Sequence, residues 1–159
     1  MSGLKEALPA LVPLAIEWAR QVSAAASLGG QALDDEGEAI ARQVGVARPQ
    51  DVRVVIAPEL PFPSHPLLRA AALETGMLGP DMAGLTLGYA IFIREGELTA
   101  RLLSHELRHV AQYEAAGSID AFLPEYLRQV VEVGYEDAPL EVDARAHEIG
   151  HPPARVRRG

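Results

Sequence analysis

The chain has 159 residues, enough for one compact domain and too few for two independent catalytic ones. Hydrophobic residues make up 48% and charged residues 23%, so a core can be buried and the composition is not that of a disordered chain. Lys and Arg total 14 against 22 Asp and Glu, a formal charge of −8 that opposes generic binding to nucleic acid, and the absence of cysteine excludes disulfides, thiolate metal ligands and thiol catalysis.

Leu4, Leu8, Leu11, Ala15, Trp18 and Val22 recur at steps of three and four, the period of a helical stripe docked on a core, with Trp18 as its anchor. Glu6, Pro9, Pro13, Glu17 and Arg20 interrupt the segment, and no apolar run approaches the ~20 residues of a membrane span. Neither a signal sequence nor membrane insertion is expected, and a cytoplasmic location follows as the expectation. Gly29-Gly30 ends this helix, and Asp34 or Asp35 caps a second one running to about Val44, giving an N-terminal helical hairpin over residues 1–46. A core over residues 50–150 follows within the same single domain. Residues 52–57 read as a buried strand closed by Pro58, and the proline-rich stretch 58–66 as a loop, with His65 a solvent or capping histidine. A short helix over 67–75 precedes one strand over 85–93 with a glycine break at Gly88 and a turn at Glu95-Gly96. The rest is helical, at about 99–116, 119–133 and 139–149, before a flexible basic tail over 151–159.

The chemistry is concentrated in His105-Glu106-Leu107-Arg108-His109, inside a predicted helix. Four residues turn an α-helix by about 400°, so His105 and His109 leave one face a turn apart and both imidazoles reach one ion. Glu106 lies about 100° around the axis, beside the ion rather than on it. There it takes the proton of a water on the metal as that water attacks a carbonyl. Leu98, Leu102, His105, His109 and Ala116 share one stripe, while Leu103, Leu107 and Val110 line another. A helix packed on most sides has no structural use for two imidazoles and an unpaired carboxylate. One Zn²⁺ per chain is therefore the expected cofactor.

For a third ligand the C-terminal helix offers Glu141, Asp143, His147 and Glu148. Asp143 and His147 face away from Glu141 and make sense as an i,i+4 pair in solvent. Glu148 returns to the Glu141 face about 10 Å further along the axis. Ala144, three residues after Glu141, keeps that face small enough for close approach, which favours Glu141 without closing the other choices. Gln112 lies on the His105 face one turn beyond His109, where it can hydrogen-bond near a metal, and the phenols of Tyr113 and Tyr135 are candidate donors to an oxyanion. Gly88, Gln112 and Tyr135 are accordingly the substrate-binding candidates, with Gly88 the least bulk-tolerant point of an edge strand to which a peptide adds.

The stretch from Leu102 to Tyr113, followed by Gly134 to Ala144, resembles small bacterial zincin-like metallopeptidases, including the domain-of-unknown-function 4157 type. The similarity covers roughly residues 84 to 148. It implies an α+β zincin-like fold, a small sheet packed on the active-site helix with a mainly helical remainder. By the gluzincin pattern it implies His105, His109 and Glu141 as zinc ligands and Glu106 as the base of peptide hydrolysis. Many gluzincins place an Asp four residues after the ligand Glu to orient a zinc-bound His, and here that position is Arg145. That departure sets the alternative: a catalytically silent module of the same fold that binds a protein partner.

Overall fold

The computed structural model describes residues 2–78 and 81–150; the expected basic tail and His151 lie outside them. Within the described residues six α-helices and a small mixed sheet make an α+β arrangement. In chain order these are α1 (Ser2–Gly29), α2 (Asp35–Gln43), β1 (Arg53–Ala57), α3 (Pro66–Thr75), β2 (Gly84–Leu87), β3 (Ala90–Arg94), α4 (Ala100–Ala116), α5 (Ile119–Val133) and α6 (Pro139–Ala146). No helix among them is long and apolar enough to cross a membrane. His65 caps α3, its ring accepting the Leu67 N–H at 3.2 Å.

The sheet has the order β1-β3-β2, with β1 parallel and β2 antiparallel to the central β3. Successive strand side chains point to opposite faces, so β3 divides the interior. Ala90 and Phe92 enter a core with the apolar stripe of α1 and with α5, whereas Ile91 and Ile93 enter another with Ile40 and Ala41 of α2 and Leu107 and Val110 of α4. The two N-terminal helices therefore do not form the expected hairpin. They lie on opposite faces of the sheet because their apolar stripes belong to different cores. Gln31, between them, exchanges backbone hydrogen bonds of 2.8 Å with Val54 and covers part of the β1 edge.

The strand expected over residues 85–93 is two strands. Leu87 and Ala90 pair across the two-residue turn Gly88-Tyr89, and Gly88 at φ +68° supplies the left-handed backbone that the first central position of a type II′ hairpin requires. β2 is the edge strand. Since the Arg94 N–H donates to the Ala83 carbonyl at 2.9 Å, the alternation of an antiparallel ladder turns the backbone of Gly84 and Thr86 toward the free edge.

Rotation of α4 is set by its apolar side. Leu107 and Val110 are wholly buried, as are Ile91 and Ile93 with which they cluster, and each such side chain contributes about 1.5–3 kcal/mol on burial. With that face fixed, Glu106 meets β2 and the two histidines of α4 meet α6. Thr99 caps the start of α4 by accepting the Leu102 N–H at 3.0 Å. α6 starts with Pro139 at its first position, and the side-chain oxygen of Gln129 on α5 accepts the Leu140 N–H at 2.9 Å. Ala144 is wholly buried where α6 packs on α4. α6 ends at Ala146, three residues short of expectation, and beyond it the Ile149 N–H donates to Ser104 Oγ at 2.9 Å.

A β-branched residue at Gly88 must leave the left-handed region or strain it. Gly88→Val is expected to lower the unfolding free energy by about 1–3 kcal/mol in urea denaturation and to leave metal affinity unchanged. Undiminished stability would mean that the hairpin does not need its glycine.

Candidate metal centre

His105 and His109 leave α4 one turn apart, their ring centroids separated by 5.0 Å. Between their Nε2 atoms lies the carboxylate of Glu141, the first-turn acid of α6. Oε1 is 3.2 Å from His105 Nε2 and Oε2 is 3.1 Å from His109 Nε2. One ligand atom from each of the three residues lies within 4.8 Å of the other two. This group is nearly or fully buried, with Glu141 only 3% exposed, and it could hold a metal ion. Asp143, His147 and Glu148 do not join it.

The fit can be tested on the far side of each ring. His105 Nδ1 faces Glu148 Oε2 at 2.8 Å, and His109 Nδ1 faces Gln112 Oε1 at 2.7 Å. Gln112 has no freedom to turn over, because its Nε2 already donates to the Leu140 carbonyl at 2.9 Å and to Asp143 Oδ2 at 2.8 Å. Both Nδ1 atoms meet acceptors and so carry the hydrogen, which leaves both Nε2 atoms to converge on one point. Two imidazole nitrogens and a carboxylate oxygen are a donor set for a borderline divalent ion, and three protein ligands leave a fourth position open.

Without an ion the same convergence is held by hydrogen bonds. Burial lowers the pKa of His105, but its bond to Glu141, the charges of Glu106 and Glu141 and its bond to Glu148 outweigh that and raise it to about 9. His109 is raised in the same sense, burial again being outweighed by the bond to Glu141. Burial pushes the Glu141 carboxyl up, yet hydrogen bonds from both histidines and from the Tyr126 hydroxyl, at 2.7 Å, hold it well below the usual carboxylate range.

Glu106 stands outside this group, at 5% exposure. Its Oε1 accepts from Thr86 Oγ1 at 2.6 Å, while its Oε2 lies over Gly84, 2.8 Å from where a Cβ on that glycine would sit. Only glycine at position 84 leaves that oxygen its place. Glu106, His109, Glu141 and Tyr135 line one cavity of about 110 Å³, whose other walls are mainly apolar. Gly84 and Thr86, on the outer edge of β2, also line this cavity, the Thr86 carbonyl being taken by the Tyr113 hydroxyl.

Several expectations need revision on this geometry. Gly88 does not line the cavity; a Cβ there would meet Ile119 at 3.3 Å and Ser23 at 3.5 Å, because the hairpin carries it away from the histidines. Gln112 holds His109 rather than a substrate. Tyr113 donates its hydroxyl to the Thr86 carbonyl at 3.2 Å and is thereby occupied. Asp143 is more than a solvent partner of His147, since it anchors Gln112 and accepts from Arg108 Nε at 2.8 Å. Arg145 donates to the Glu136 carbonyl, and Glu148, not a residue at that position, supplies the carboxylate behind His105. Sequence reasoning missed Thr86, Gly84, Tyr126 and the role of Glu148. A polar Thr86 between apolar strand neighbours was the one available signal.

Glu148→Gln removes the charge behind His105 while keeping the shape, and zinc titration is expected to show affinity weakened about 10- to 100-fold, against loss of the site in His109→Ala. An unchanged affinity would make the Glu148 contact incidental. No protein-family model, curated protein or solved structure matches the chain significantly.

Proposed function

We propose that the protein is a zinc-dependent hydrolase of peptide bonds. The observation that carries this reading is Glu106: a buried carboxylate next to a ligand pair but outside the ligand set. Among the described residues no Lys or Arg pairs with it. A purely structural metal site has no use for such a group, and burying it unpaired is costly.

His105, His109 and Glu141 are the residues that would hold the ion. Zinc bound there would supply a Lewis acid that polarises the scissile carbonyl and acidifies water. Thr86 fixes one oxygen of Glu106, so the other, above Gly84, takes the proton of the attacking water and returns it to the leaving amine nitrogen. Tyr135 sits on the turn between α5 and α6, lines the same cavity, and its hydroxyl makes no hydrogen bond among the described residues. Burial and the charges of Glu141 and Glu106 raise its pKa far enough to keep it protonated. In this reading it would donate to the carbonyl oxygen as negative charge develops there. The Glu148 carboxylate behind His105 supports this reading over a silent module, since it supplies the partner that Arg145 does not.

Two substitutions separate chemistry from metal binding. Glu106→Gln is expected to keep one zinc per chain and lose ~10²-fold or more in kcat, read by elemental analysis and cleavage of a broad peptide library. Gly84→Ala should reproduce that pattern by displacing the same carboxylate without touching a ligand. Wild-type protein that holds zinc and cleaves nothing in the library would return the reading to a silent module.

A further inference from the structure

Glu106, His109 and Glu141 are all buried. The cavity they meet, at about 110 Å³, is of the order that holds one benzene-sized molecule and not a length of polypeptide. A substrate as large as a peptide therefore reaches Glu106 only if a wall moves. One wall comes from the stretch between β1 and β2: Leu68, Ala71, Ala72 and Thr75 of α3, with Met77 and Leu78 beyond it. Steps of three and four put the α3 residues on one face, and Leu68 and Ala72 are its buried members.

This wall is held differently from the others. β2 is tied through Thr86 to Glu106 at 2.6 Å, α5 through Tyr126 to Glu141 at 2.7 Å, and α1 through the Arg20–Asp120 ion pair at 3.5 Å. From Pro58 to Leu78, no backbone or side-chain group makes a hydrogen bond or ion pair with a described residue outside those limits. The bonds of the segment are internal. His65 caps the start of α3 and Gly76, at φ +76°, ends it, while Arg69 reaches back to the Pro63 carbonyl at 3.4 Å and lies 4.5 Å over the Phe62 ring. The flanking chain is fixed to the sheet, since the Ala57 carbonyl accepts the Glu95 N–H and the Ala83 carbonyl the Arg94 N–H, each at 2.9 Å.

We propose that residues 58–78 are a lid, a preformed unit seated on the cavity by apolar contact alone, which lifts away to admit substrate. The proposal rests on the hydrolase reading for the substrate and on the bonding pattern for the motion. Apolar contact is non-directional, and lifting this unit leaves no buried donor or acceptor without its partner. Moving β2 or α5 instead would strip Glu106 or Glu141 of a hydrogen bond. The prolines at 58, 61, 63 and 66 keep the leading arm stiff, so α3 moves as a body.

The absence of cysteine lets a single introduced thiol report the motion. In the full chain, Ala72→Cys places it under the lid and Ala41→Cys in the core on the other face of the sheet, both positions being buried. The aromatic disulfide DTNB is too large for the closed cavity. Its reaction at position 72 is expected to be about 100-fold faster or more than at position 41, and nearly independent of urea below the unfolding transition. At position 41 it should follow global unfolding and rise steeply with urea. Leu68→Cys gives the same comparison if Ala72→Cys folds poorly. Equal rates with equal urea dependence overturn the lid, whether or not the protein cleaves peptides. Admission is read separately with Leu60→Ala, which loosens the proline arm where it packs on the core without lining the cavity. This variant should raise kcat/KM of the zinc-loaded protein on a peptide library about fivefold or more at unchanged zinc affinity, because a larger fraction is open; an unchanged or lowered kcat/KM overturns the gating role. Fast labelling at position 72 in a protein that cleaves nothing supports the lid and sinks the hydrolase reading by itself.

Discussion

Glu141 is the group on which the rest of the site depends. A carboxylate at 3% exposure is costly unless its charge is met, and three donors meet it: the two Nε2 atoms of α4 and the hydroxyl of Tyr126 on α5. Those contacts tie α4, α5 and α6 together at one point. Without Glu141 the two Nε2 atoms, which leave the same helix one turn apart, would have no shared partner on α6. The wholly buried Ala144, three residues on, lets α6 come close enough for the carboxylate to reach.

Behind this point the support is asymmetric. His105 backs onto a carboxylate, Glu148, which Arg101 also holds at 2.9 Å, whereas His109 backs onto the neutral amide of Gln112, braced by Asp143 and through it by Arg108. Arg108 also donates to the Val44 carbonyl at 2.8 Å, so the chain of contacts runs from α2 to the ring. A carboxylate makes its imidazole the stronger donor and an amide makes its own the weaker. Glu106 is held apart from both, by Thr86 on the edge strand. On the proposed reading, metal binding and proton transfer would therefore depend on different elements of the fold, and substitutions would separate them.

How much of this could be read from the sequence follows from how local each feature is. His105 and His109 were legible because four residues on a helix fix their shared face whatever surrounds it. Glu141 was legible through the small Ala144 that follows it. Glu148 was placed on a helix that in fact stops at Ala146, and no local signal says so. The stop goes with a tertiary contact, Ser104 Oγ accepting the Ile149 N–H, that lets the chain turn back to His105. The hairpin at Gly88-Tyr89 had a local signature, a glycine opening a two-residue turn, but both arms are apolar and read together as one strand. Helices α1 and α2 were each recognisable; which face of the sheet each covers depends on the alternation of β3, far along the chain at Ala90–Arg94. The apolar cavity was invisible for the same reason, since its walls come from elements scattered along the chain.

The central claim is that two imidazoles and one carboxylate from this chain share a single ion. It is tested most directly by the zinc X-ray absorption spectrum of protein loaded with one equivalent of the metal. The account predicts two histidine imidazoles at about 2.0–2.1 Å, completed by oxygen donors in a coordination number of four or five. A spectrum with oxygen donors alone, or with one imidazole, would contradict it.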